Sequence, residues 1–129
     1  MIYVIGAQRE ADKLLALISH WRIGMLFIET PIFTEDVKEF FSDEEYQLFQ
    51  QYLADNPTEG DVIPHTGGLR KIRWILPGKG KGKRGGARVI YYHVGATDNI
   101  RLLLLYAKGI KDDLSPAEKR VLRHLNENW

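Results

Sequence analysis

Leu14, Leu15, Leu17, Ile18 and Trp21 recur at helical spacing, which predicts an amphipathic helix over residues 9 to 22, ahead of everything else in the chain. Leu26-Phe27-Ile28 then reads as a short buried strand. Thr34 is placed to cap a first helix carrying Val37, Phe40 and Phe41. Ser42, with Glu45 three residues on, forms a capping box for a second helix, in which Tyr46, Phe49 and Leu53 share one face. Asn56-Pro57 ends that helix.

Beyond residue 60 the period changes from helical to alternating. From Leu69 to Leu76, Lys71 and Arg73 fall on one face and Ile72, Trp74 and Leu76 on the other, the pattern of a half-buried strand with one cationic side. Arg88 to Val94 and Ile100 to Ala107 are the next strands, joined by a hairpin turn over Gly95 to Asn99. Leu102 to Leu105 is apolar on both faces, as in a central strand. Ser115-Pro116-Ala117-Glu118 supplies an N-cap, a proline at the first helical position and a capping-box glutamate. It opens a last helix with Val121, Leu122 and Leu125 inward. The expected class is α/β, more narrowly α+β, with a small antiparallel sheet, two helices before it and one after.

Composition adds bounds. At 129 residues and 44% hydrophobic, the chain fits one domain with a single core. It has no cysteine, and its four histidines lack metal-ligand spacing, so nothing points to a disulfide, a metal or another cofactor. No apolar run approaches the roughly 20 residues that span a bilayer, and the first residues lack the pattern of a signal peptide, so a cytoplasmic protein is expected.

Charge changes the picture more. The net charge of +1 conceals a polarity: residues 25 to 61 hold ten acids against Lys38 alone, whereas residues 62 to 97 hold no acid and eight of the 18 Lys and Arg. These eight are Arg70, Lys71, Arg73, Lys79, Lys81, Lys83, Arg84 and Arg88, interleaved with glycines and with Trp74, Tyr91 and Tyr92. Such a segment suits a phosphate-backbone ligand, RNA or DNA. The connector from Pro77 to Gly86 is not a nucleotide-binding P-loop, because GxxxxGK[ST] spacing is unmet.

Several blocks taken together resemble the RelE/HigB-type toxins of bacterial type II toxin–antitoxin pairs. They are HTGGLRKIRW (65 to 74), GKGKRGGARVIYY (80 to 92), LLLLYAK (102 to 108) and KDDLSPAEK (111 to 119), with ETPIF and SDEEY upstream. The resemblance runs over about residues 25 to 126. It implies a toxin domain over 25 to 129, preceded by an extension over 1 to 24. It also implies an endoribonuclease, an mRNA interferase that cuts mRNA on the ribosome and so inhibits translation. A cognate antitoxin, expected to be of helix-turn-helix type, neutralises such a toxin, and operator DNA is met only through the toxin–antitoxin complex. Two other readings stay open: cleavage independent of the ribosome, and a non-catalytic RNA-binding or repressor subunit.

Internal attack by a 2′-OH requires removal of its proton, stabilisation of the phosphorane and protonation of the leaving 5′ oxygen. Lys71 and Arg73 project from one strand face, Arg88 opens the neighbouring strand, and Lys108 ends the third. Lys71 or Lys108 is a candidate base if surrounding cations depress its pKa, and Arg73 and Arg88 suit phosphate clamps. The resemblance places Lys71, Arg73 and Arg88 on cationic active-site positions and Lys108 in the basic stretch after the last long strand. Arg70, Lys79, Lys81, Lys83, Arg84 and Tyr91 are the expected RNA or ribosome contacts. The general acid is unassigned, since Ser115 lies near where some such toxins carry a catalytic tyrosine. Tyr91, Tyr92 and Tyr106 are candidates for stacking on a base or donating a proton, against an equally weighted reading as core aromatics.

Overall fold

A computed structural model describes residues 25–75, 86–111 and 113–129, together with the backbone of Ile2–Val4. The expected helix over 9 to 22, Leu76, and the cations Lys79, Lys81, Lys83 and Arg84 lie outside the described residues.

Among the described residues the chain runs β1 (Ile2–Val4), β2 (Leu26–Glu29), α1 (Pro31–Phe40), α2 (Asp43–Asp55), β3 (Asp61–Val62), β4 (Arg70–Ile75), β5 (Gly86–Val94), β6 (Asn99–Ala107) and α3 (Pro116–Glu127). The strands form one sheet in the order β1-β2-β6-β5-β4-β3. The sheet is mixed, not antiparallel throughout as the sequence suggested: β2 lies parallel to β6, pairing Phe27 with Ile100 and Glu29 with Leu102. The reason is connectivity, since the chain leaves β2, passes through both N-terminal helices and three strands, and returns along β2 from the same end. β1, inside the expected extension, adds an antiparallel strand on the outer side of β2.

Helix caps follow the sequence in two cases of three. Ser42 and Ser115 each accept a hydrogen bond from the N–H of Glu45 or Glu118, whose carboxylate accepts one from the serine N–H in return. The first helix is capped by Thr30, not Thr34: the Thr30 hydroxyl accepts from Phe33 N–H at 3.2 Å, and Pro31 fills the first helical position. Thr34 lies inside the helix, where its hydroxyl donates to the buried Glu29 carboxylate at 2.6 Å. Tyr46 donates to the other Glu29 oxygen, so this interior acid is satisfied by two hydroxyl donors.

Two cores sit on opposite faces of the sheet. On one, Phe33, Val37, Phe41, Phe49 and Leu53 from the helical pair pack on Phe27, Ile72, Val89, Tyr91, Ile100, Leu102 and Leu105. On the other, Leu114 and Leu122 pack on Ile63, Leu69, Ile90, Leu103 and Tyr106. Of the residues expected to face inward on α3, only Leu122 does so, while Val121 and Leu125 are 66% and 42% exposed. Asn126 is buried in their place because Arg101 donates to both its backbone and side-chain oxygens, at 3.1 and 3.0 Å.

One irregularity decides which side chains meet. Ile90 pairs with Leu104 but Tyr91 pairs with Leu102, so β6 carries an extra residue, Leu103, at a β-bulge. Before the bulge, Ile100 and Leu102 face α1 and α2; after it Leu105 does, and Tyr106 turns to the α3 side.

Candidate phosphate-binding site

Arg73 on β4 pairs directly with Arg88 on β5, which pairs with Tyr106 on β6. Cross-strand partners project to the same face, so these three side chains form a row on the α3 side, at steps of about 5 Å from strand to strand. Lys71 occupies the same face one row toward α3, opposite Ile90. Lys108 lies one row the other way, where its N–H donates to the Gly86 carbonyl at 3.0 Å. The four cations Lys71, Arg73, Arg88 and Lys108 are thus brought together on one sheet face.

This arrangement opposes stability. Two arginines directly opposite across a strand pair repel, and a fold selected for stability alone would avoid them. Arg88 is half-buried, and no carboxylate partners it among the described residues. A β-carbon on Gly86 would stand 3.5 Å from Arg88 Nη1 and 3.9 Å from Lys108 Cβ. The bare glycine therefore leaves a notch that the Arg88 guanidinium overlies on its way toward the Lys108 row.

Carboxylates reach the site from outside the acid-free segment. Asp113 binds Lys71 Nζ at 2.6 Å, and Asp61, on β3 opposite Lys71, lies 3.6 Å from Arg73 Nη1. The Lys71 side chain is only 12% exposed, while that of Asp113 is 76% exposed. The premise of a Lys71 base, an ammonium among cations alone, therefore does not hold here. Lys108 is exposed and has no carboxylate partner among the described residues.

Arg70 and Tyr91 do not belong to this face. The Arg70 side chain donates to the Thr58 and Gly60 carbonyls at 3.1 and 2.7 Å, which makes it a tether for the loop before β3. Tyr91 is fully buried beneath the helical pair, its hydroxyl donating to Pro57 O and accepting from Gly60 N–H, both at 2.9 Å. A β-carbon on Gly60 would come within 2.8 Å of the Tyr91 ring, so glycine is what permits that contact. Tyr91 is consequently a core residue and not an RNA platform. Tyr92 packs beside Arg101, whose guanidinium carbon lies 5.6 Å from its ring centroid and 4.9 Å from that of Trp129.

Tyr106 is the residue of this face whose place is least visible in the sequence. It is 6% exposed, with Lys111 Nζ 5.0 Å above its ring, and its hydroxyl is buried with no hydrogen-bond partner among the described residues. Burial above all, then the Asp113 carboxylate, raises its pKa above the ordinary phenol value, while Arg88 and Arg73 pull it down. The spacing to Lys108, two residues on, is the one sequence signal that points to it. Asp61 and Asp113 offer none, because both lie beyond the basic segment in sequence.

The Asp113 carboxyl is held below its ordinary range by the hydrogen bond and charge of Lys71, and Glu118 by Lys111 and the Ser115 cap. Both folded values are depressed, so the stability these groups add is present above the unfolded carboxylate range and is lost as pH falls through the folded values. Denaturant unfolding should show little change from about pH 7 to 5 and a drop below about pH 4. An Asp113→Asn, Glu118→Gln double variant is expected to make that acid limb shallower; an unchanged limb would contradict the assignment.

Among the described residues, no group of three or more His, Asp or Glu side chains is placed to hold a metal ion. No described helix is long and apolar enough to cross a membrane. Comparison with known protein families gives no match to this chain.

Proposed function

We propose that this protein is an endoribonuclease that cuts mRNA on the ribosome, and the toxin of a type II toxin–antitoxin pair. The observation that carries the reading is the Arg73–Arg88 cross-strand pair, flanked by Lys71, Tyr106 and Lys108, on one face of the sheet. Such a row suits one scissile phosphate: two guanidiniums gather its non-bridging oxygens and stabilise the charge that grows on the phosphorane. Lys108 lies one row further on, where its charge can balance that left on the attacking 2′ oxygen.

The sequence resemblance to RelE/HigB toxins supports the same reading and supplies the ribosome, the antitoxin and a cytoplasmic setting as its context. On this reading, the sheet flanked by two helices on one face and one on the other is a RelE-type fold. The basic segment from Lys79 to Arg84 then serves RNA or ribosome contact, as its composition suggests.

The test is addition of the purified protein, at micromolar concentration, to a translation lysate. Primer extension should find new 5′ ends inside the translated frame, and no such ends when ribosomes are omitted. Undisturbed translation would reject the proposal. Equal cutting of naked RNA would select the ribosome-independent reading, and ribosome binding without cutting would select the non-catalytic one.

A further inference from the structure

We infer that Tyr106 is the general acid of this site, its phenol protonating the 5′ oxygen that leaves when the RNA chain is cut. This rests on the endoribonuclease reading above.

Three observations converge on the hydroxyl. First, Tyr106 is the β6 member of the row whose other members are Arg88 and Arg73, so a phosphate held by Arg88 has the phenol as its neighbour on the side away from Arg73. Second, the hydroxyl is buried and has no hydrogen-bond partner among the described residues. A buried O–H left unpaired destabilises the fold, and phenylalanine would fill the same space without that cost. A purely structural tyrosine would be expected to resemble Tyr91, whose hydroxyl makes two hydrogen bonds in the opposite core. Third, the break in alternation at Leu103 is what brings Tyr106 to the cationic face; if Leu102 to Tyr106 alternated without a bulge, Tyr106 would turn toward the helical pair.

The same surroundings keep the group protonated. Burial and the nearby Asp113 carboxylate favour the neutral phenol, which holds a proton ready at neutral pH. Asp113 is largely exposed and held at Lys71. A phosphate that takes Lys71 from Asp113 brings its oxygens toward the phenol.

The step balances as an intramolecular transesterification. The 2′ oxygen forms a bond to phosphorus and its proton passes to water; the bond from phosphorus to the 5′ oxygen breaks, and that oxygen takes the phenol proton. The products are a 2′,3′-cyclic phosphate and a 5′-hydroxyl, and the phenolate regains its proton from solvent.

The experiment compares two mRNAs on programmed ribosomes, one with the ordinary linkage at the cut and one with sulfur in place of the leaving 5′ oxygen. A thiolate leaves without protonation. Tyr106→Phe should slow the ordinary linkage by about 10²–10⁴-fold and the sulfur linkage by no more than a few-fold. Arg73→Ala should slow both. A ring-fluorinated tyrosine at 106, more acidic at unchanged size, should move the alkaline fall of the wild-type pH–rate profile to lower pH.

Equal losses on both linkages would make Tyr106 a structural or positioning residue, and an ordinary rate within about threefold of wild type would dismiss it altogether; either overturns the inference while leaving the endoribonuclease reading in place. Wild-type protein that cuts neither mRNA would overturn both.

Discussion

Replacing Arg73 and Arg88 together with alanine is expected to reduce cleavage of ribosome-bound mRNA by about 10³-fold or more while leaving the protein folded. Each guanidinium that meets the developing phosphorane charge contributes on the order of 2–3 kcal/mol, and removing both gives at least that factor. The cost to the fold should be small, because neither side chain belongs to a core cluster. Among the described residues Arg73 forgoes an ion pair with Asp61 at 3.6 Å, in which both side chains are more than half exposed. Removing the like-charge pair also relieves repulsion across β4 and β5. Thermal unfolding should therefore be unchanged or slightly raised. Rates come from primer extension on programmed ribosomes; a double variant that cuts within tenfold of wild type would remove this row from the chemistry.

Affinity for a cleavage-resistant single-stranded RNA, with the 2′ hydroxyls methylated, should fall steeply between 50 and 200 mM salt. Lys71, Arg73, Arg88 and Lys108 are four cations on one face. For single strands the logarithmic slope is about 0.7 per neutralised phosphate, so four neutralised phosphates predict a loss of about 50-fold over that range. If Lys79, Lys81, Lys83 and Arg84 also engage the backbone, eight predict about 2,000-fold. The slope thus reports how many parts of the basic segment the RNA meets. A flat response would show that the RNA lies elsewhere on the molecule.

Local chemistry made much of this fold readable. Capping boxes at Ser42 and Ser115 marked two helix starts, and alternation placed β4, β5 and β6 within two residues of their observed ends. Pro31 was a better pointer to the first cap than Thr34, since a proline at the first helical position implies the residue before it as cap. What stayed hidden depended on distant pairing. The parallel match of β2 with β6 joins residues more than 70 apart, and β3 has only two residues with which to show a pattern. The site was half legible for a related reason. Alternation put Lys71 and Arg73 on one face, but four consecutive leucines in β6 have no polar member to reveal where the phase slips, so the position of Tyr106 beside Arg88 could not be read. Arg70 and Tyr91 looked alike in sequence to their neighbours in the candidate site, and only their bonds to the segment Pro57 to Gly60 show that they serve the loop and the core.

On the proposed reading, the two carboxylates that enter the basic face from either side of it would make RNA binding an exchange. Lys71 and Arg73 are already matched, by Asp113 and Asp61, before any phosphate arrives. What an incoming phosphate gains at those two positions is the difference between its own interactions and those it displaces, whereas at Arg88 and Lys108, which have no carboxylate partner among the described residues, it displaces none of these. The face therefore discriminates among anions by how many positions they fill at once. A lone phosphate or a surface carboxylate competes poorly with the resident acids, while a polynucleotide that spans the row replaces them together.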